Sequence, residues 1–495
     1  MFMAPDPGLL RLRASLRAVL GIALAVTLSE LAGLPLTASI TGGLTALLAL
    51  FTVADPTVRD QAVTTALLPA VGFPVLALAT VLHDAPTPRD TIWLAVIFCG
   101  VHARRWGPRG HALGIFAFMT FFVTQFLHAL PSQLPELCTA MALSLAASSA
   151  VRFGAWCIER RIPPAPAPAP GDDRGLARPT TRQAFQASAA CAFAMVVGQV
   201  LSEDRWYWAV GTAWWIFVNT TSRGETLVRG FRRVLGTVTG ILVGLLVAVP
   251  LNGAPAPTAA LVALCVFGIF YTAAVSYTWM MLCVTVMAGL LYGLLGVLDA
   301  PLLALRLAQT GVGAAGAALA VALILPVTTD AVTDRWVRRA LHAVHACTAT
   351  AARRLTGDPE ADPAPRVAEL EALLGRVRLS LAPLVHPLTP MRSRKERARQ
   401  VLTLLDDCAR EARGLATVAA DPDASHGARL TAACRRVEST LETLLGAVPP
   451  HPSPPRPPEP AHHPHADQAL AHLHALEQAL AQLSHPLRGS SLAEA

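Results

Sequence analysis

The sequence predicts an all-α polytopic membrane protein, with about twelve transmembrane helices in two parallel six-helix repeats and a cytoplasmic helical domain behind them. Three observations carry that prediction. Apolar runs of membrane-spanning length recur over the first two-thirds of the chain, and arginines gather in alternate loops between them. Shifting the chain on itself by 170 residues brings Thr57-Val58-Arg59 onto Leu227-Val228-Arg229 and Asp55 onto Glu225, with the surrounding hairpins.

Composition agrees: 53% of residues are hydrophobic, 15% are charged and the mean hydropathy is +0.47, which places the chain among integral membrane proteins. Of the 40 basic residues only Lys395 is a lysine. The arginines sit beside apolar runs and not over one face of a soluble domain, so they read as topology signals, and nucleic-acid binding is discounted.

The elements follow in order. Arg11, Arg13 and Arg17 precede spans near 18–34, 36–54, 62–82, 91–102, 111–130 and 135–158. With a cytoplasmic N-terminus, Arg59, Arg104, Arg105, Arg109, Arg160 and Arg161 all fall inside, and of the arginines only Arg89 lies in an outer loop. The first run resembles a secretory signal, but Glu30 interrupts it and no convincing small-residue cleavage site follows, so it reads as a retained helix. A second set falls near 184–201, 206–220, 234–251, 258–276, 279–297 and 302–326, with Arg223, Arg229, Arg232 and Arg233 inside and Arg205 outside. An even number of spans per half makes the repeats parallel, with a path for substrate at their interface.

The domain plan is therefore a first repeat at 1–161, a Pro-rich linker at 162–181, a second repeat at 182–327, a cytoplasmic helical bundle at 328–448, and a Pro/His-rich segment with a terminal amphipathic helix at 449–495. Arg335, Arg338 and Arg339 place the C-terminus inside with the N-terminus. The nine cysteines form no Cys-x-x-Cys pair, and most lie in apolar helices, so neither a disulfide framework nor a metal site is expected. His462, His463, His465, His472, His474 and His485 make the tail His-rich without fixed spacing and read as solvated.

The densest signal runs from Arg205 to Gly240. Trp206, Tyr207 and Trp208 open a helix that ends on Asn219 and Thr220, and the next helix carries Arg233, Gly236, Thr237 and Gly240. Gly at near-four-residue spacing lets a neighbouring helix approach closely. These residues resemble the signature of the fusaric-acid-resistance and aromatic-acid-exporter (FUSC) family of inner-membrane proteins. The resemblance implies a bacterial inner-membrane location and export of aromatic or other organic acids driven by the proton gradient. It also implies a possible partnership with a periplasmic adaptor and an outer-membrane channel, or self-association. The equivalent motif is lost from the first half, and the intermediate cytoplasmic domain common in such proteins has no room here.

Polar groups inside apolar spans are costly in lipid and mark candidate substrate contacts. Arg233 would gather the anion; Asn219, Trp214, Trp215, Thr212, Gln125, Thr41 and Thr45 would line the path; and Arg306 with Gln309 would draw it outward. Glu30 is the candidate carrier of the coupling proton, although a hydrated carboxylate at a helix end accounts for it equally. No nucleophile elbow, ATP-binding loop or zinc-protease motif occurs, so no enzyme activity and no cofactor are expected. Two other readings stay open: a passive organic-anion channel, and a non-transporting scaffold that acts through its cytoplasmic helices.

Overall fold

The structure is a computed structural model and describes residues 6, 9–159, 175–220, 222–251, 254–325, 329–355, 358, 360–385, 392–419, 428–444 and 464–488. Most of the expected Pro-rich linker at 162–181, and all of the stretch at 449–463, lie outside these residues. The chain divides into two compact units, one of Met1–Pro164 with Pro170–Pro326 and one holding Val327–Ala495. Among the described residues every regular element is helical.

The first unit contains twelve α-helices: α1 (Leu10–Leu31), α2 (Leu36–Thr52), α3 (Val58–Val81), α4 (Pro86–His102), α5 (Gly107–Phe126), α6 (Leu134–Glu159), α7 (Pro179–Leu201), α8 (Tyr207–Phe217), α9 (Arg223–Leu251), α10 (Pro255–Ala273), α11 (Tyr277–Leu294) and α12 (Ala300–Leu323). Eight of them, α1, α3, α6, α7, α9, α10, α11 and α12, are long and apolar enough to cross a bilayer, which makes this a membrane protein. Of the twelve full spans expected, eight are found among the described residues. Helix α8 has only 11 residues, a rise of about 16 Å against a hydrocarbon core of about 30 Å. Helices α2 and α4 have 17 residues each, and α5 is long enough but carries Arg109, His111 and Gln125.

Local chemistry explains the boundaries. Helices α4, α7 and α10 open on Pro86, Pro179 and Pro255, where the missing N–H costs nothing. Thr57 caps α3 by accepting the Asp60 N–H at 3.1 Å, and Ser222 does the same at α9 for the Glu225 N–H at 3.3 Å. These matched caps register Val58 with Arg223, a shift of 165 residues instead of 170. Buried Leu68 then stands where Arg233 does, so the signature is absent from the first half in either register. At Gly236 an added Cβ would lie 2.7 Å from Met281 Cβ and from the Thr278 carbonyl, and at Gly240 2.6 Å from Thr285 Cβ. Both glycines let α9 and α11 touch at backbone distance.

Most packing partners recur in both halves. Helices α1, α2 and α6 pack pairwise, α5 packs on α3 and α4, and α3 on α6. Adding six to each label gives the second half: α7, α8 and α12 pack pairwise, α11 packs on α9 and α10, and α9 on α12. The halves join through α1 with α10 and through α4 with α7.

The second unit is a helical bundle of α13 (Thr329–Leu355), α14 (Ala364–Val385), α15 (Arg392–Ala419), α16 (Ala428–Leu444) and α17 (Pro464–Arg488). Its core is built from Leu, Val and Ala at helical spacing, with Cys347, Cys408 and Cys434 buried among them. Burial pushes the Cys408 thiol up to about 12 and Cys347 and Cys434 up to about 11, so at neutral pH all three are inert apolar side chains. His472 pairs with Glu411 at 2.8 Å and packs against Gly414.

Candidate substrate cavity

Two short helices, α2 and α8, lie in the middle of the first unit; nearly every residue of α8 is buried. Each stops inside the protein, where its last carbonyls have no helical partners. At α8 the chain turns extended at Val218 and left-handed at Asn219 (φ 61°). Arg104 donates to the Phe217 carbonyl at 2.9 Å, Arg229 to Trp215 at 3.3 Å, and Gln183 to Thr220. At α2 one side chain serves the same purpose. Buried Arg152 donates to the carbonyls of Ala49 (2.8 Å), Leu50 (3.4 Å) and Val53 (3.0 Å). A guanidinium at a helix C-terminus also complements the negative end of the helix dipole.

Between α2, α5, α8, α10 and α11 lies a cavity of about 90 Å³, with Arg233 of α9 in its wall. Its lining is apolar and rich in methionine: Met119, Met280, Met281 and Met287, joined by Phe51 and Trp215. Thioether side chains are flexible and polarisable, which lets such a wall adapt its shape to what it packs against.

Arg233 is 3% exposed. One of its guanidinium nitrogens contacts the Met281 sulfur, its Nε has no partner, and among the described residues no carboxylate lies within ion-pair distance. Arg306 is equally buried, lies 3.8 Å above the ring of Trp208, and leaves an Nη without a partner. Trp208 itself lines the cavity. Isolated charges are expensive to bury, so two guanidinium groups without counter-ions around one cavity constitute a site that an anion would complete.

Two clusters of aromatic residues flank the cavity, each a candidate seal. Near the start of α8, Trp208 Nε1 donates to Tyr292 Oη at 2.6 Å, Tyr292 meets Tyr207 at 3.2 Å, and Arg205 sits 5.2 Å from the Tyr292 ring. Near the start of α9, Arg229 lies 4.0 Å from the Tyr277 ring while holding the Trp215 carbonyl.

A second, larger cavity of about 410 Å³ lies among α1, α2, α10 and α11. It shares Leu44, Leu47, Met287 and Leu291 with the central one. Glu30 is the one charged residue of its lining.

The sequence-derived candidates divide accordingly. Arg233 and Trp215 line the central cavity, Arg306 reaches it through Trp208, and Glu30 lines the second cavity. Seven others line neither. Trp214 is stacked on Phe118 with centroids 3.9 Å apart, Thr212 packs against Gly313, and Gln125 is directed to the Ala79 carbonyl of α3. Thr41 bonds the Thr37 carbonyl within its own helix, and Thr45 is buried in α2. Gln309 donates to the Gly198 carbonyl at 3.1 Å, and Asn219 is exposed beyond α8. Sequence reasoning passed over the methionines, Arg104, Arg152 and the Tyr207–Tyr292 pair. The adjacent Met280-Met281 was the available signal; the arginines act over more than 95 residues of sequence and left none.

Residues 192–341 match the family model described as fusaric acid resistance protein-like, which covers α8 to α12 and runs on into α13. No match was found among curated proteins or solved structures.

Proposed function

We propose, for a chain whose residues 192–341 match the fusaric acid resistance protein-like family model, that it exports aromatic or other organic acids across the bacterial inner membrane, driven by the proton gradient. The observation that carries this reading is Arg233: a buried guanidinium in the wall of an apolar cavity with no carboxylate to neutralise it. A monoanionic ring compound supplies what the site lacks, its carboxylate for Arg233 and its ring for Trp215, Phe51 and the methionines.

In this mechanism both termini are cytoplasmic, the anion enters past Arg229 and Tyr277, and the contact of Arg306 with Trp208 draws it toward the far seal. The repeated pairing of helices supports two parallel repeats whose relative movement opens one seal at a time. Glu30, the one carboxylate in the two cavity linings, is the candidate for the coupling proton.

Retention of radiolabelled aromatic acids in efflux-deficient cells tests the reading. Wild-type protein should lower accumulation, an uncoupler should abolish that effect, and Arg233→Ala should reduce export at least tenfold, the equivalent of about 1.4 kcal/mol of lost anion binding. Export that survives the uncoupler would instead indicate a passive channel. Identical accumulation with wild type and Arg233→Ala, both shown to be folded, would refute the transport site.

A further inference from the structure

The 410 Å³ cavity has the opposite electrostatic character to the central one. Its walls are aliphatic: Val19, Ile22 and Val26 from α1, Leu44 from α2, and Val262 and Val266 from α10. No basic residue lines it. Its polar groups are the Glu30 carboxylate, the Thr27 hydroxyl and Ser39 Oγ, and the last of these is buried without a hydrogen-bond partner. An unpaired buried hydroxyl beside an apolar void is a costly arrangement unless something enters to satisfy it.

The cavity is also open at its edge. Ala23, Thr27 and Glu30 fall on one stripe of α1, each lines the cavity, and each is exposed, as are Pro255 and Ala259 of α10. In a bilayer that stripe faces lipid, with Glu30 one residue from the helix end and so close to the headgroup level. A molecule dissolved in the leaflet can therefore enter sideways, tail first, and leave its polar end beside Glu30.

The geometry points to a second ligand site, distinct from the anion cavity, that takes an amphipathic monocation: an ammonium or comparable organic cation on an apolar body. Glu30 neutralises the charge, Ser39 accepts or donates one hydrogen bond, and the aliphatic walls of α1 and α10 hold the body. The occupant rests on Leu44, Leu47, Met287 and Leu291, the partition shared with the central cavity, so it also fixes the wall against which the anion packs.

Equilibrium dialysis of labelled tetraphenylphosphonium against the full-length protein in uncharged maltoside detergent tests the site. Saturable binding is expected. Glu30→Gln should weaken it about tenfold, as expected for losing a partly desolvated charge pair. Ala263→Trp, which fills the cavity without changing charge, should abolish it. Arg233→Ala should leave it unchanged, so loss of the anion site and loss of the cation site register separately. Displacement by added phosphatidylethanolamine would assign the cation to a lipid headgroup, and persistence would assign it to a free amphiphile. Binding that does not saturate, or equal affinity for wild type, Glu30→Gln and Ala263→Trp in protein with unchanged elution on size exclusion, would overturn the proposal.

Discussion

The two places where the halves of the membrane unit meet use equivalent helices and differ in how they are filled. On one side α4 packs on α7, and Trp93 stacks on Phe121 (5.1 Å) and Phe118 (5.6 Å) and meets the edge of Trp206 (5.3 Å), while Phe118 stacks on Trp214. On the other side α1 packs on α10 around the 410 Å³ cavity. Position by position from the first residue of each helix, Trp93 corresponds to Val262, Trp214 to Gly43, Phe121 to Leu291 and Phe118 to Ala288. The first three of those smaller residues line the 410 Å³ cavity, and Ala288 lines the central one. Four aromatic side chains on one side thus correspond to empty space on the other. Helix pairing is fixed by small backbone-to-backbone contacts, and cavity volume is set separately by which half keeps its rings.

That comparison breaks most sharply at Trp93. Trp93→Ala should cost about 3–5 kcal/mol and lower the unfolding temperature in a detergent-based thermal assay. Val262→Trp on the cavity side should instead add about 0.5–2 kcal/mol by filling space. Destabilisation by Val262→Trp as large as that by Trp93→Ala would mean that the cavity side is not space a ring can fill.

A smaller contrast separates the two helix ends. Arg152→Ala leaves three carbonyls of α2 unserved, and a loss of about 3 kcal/mol is expected. Arg104→Ala frees only the Phe217 carbonyl of α8 and should cost about 1–2 kcal/mol. Chemical denaturation of the two variants side by side would rank them. The mildest test concerns the approach of α9 to α11. Gly240→Val pushes a side chain into Thr285 and should cost about 1–3 kcal/mol, whereas a valine at Gly244, where the nearest atom is 3.9 Å away, should be close to neutral.

The membrane class was legible in the sequence because hydropathy and arginine placement act locally, and the Arg233-to-Gly240 pattern was legible because it lies within one helix. The length of α8 was not. A run from Trp206 to Thr220 reads as one apolar span, and only the extended Val218 and left-handed Asn219 end the helix early. Trp214 and Trp215 are neighbours of the same kind, yet one packs on Phe118 and the other lines the cavity, since a 100° step around α8 faces them to different helices. The capping by Arg152 was invisible for a related reason: it joins α6 to α2 across about a hundred residues, and no periodicity records such a contact.

The methionines of the central cavity carry one more consequence. A thioether takes up oxygen to become a sulfoxide, which is polar and chiral where the parent was apolar. Met119 of α5 and Met280, Met281 and Met287 of α11 all line this cavity, so oxidation there would make its interior polar without changing the helices that frame it. Exposure of cells to peroxide should then dull the proposed export before it reduces the amount of folded protein, with oxygen additions detectable by peptide mass spectrometry in the segments carrying those four residues.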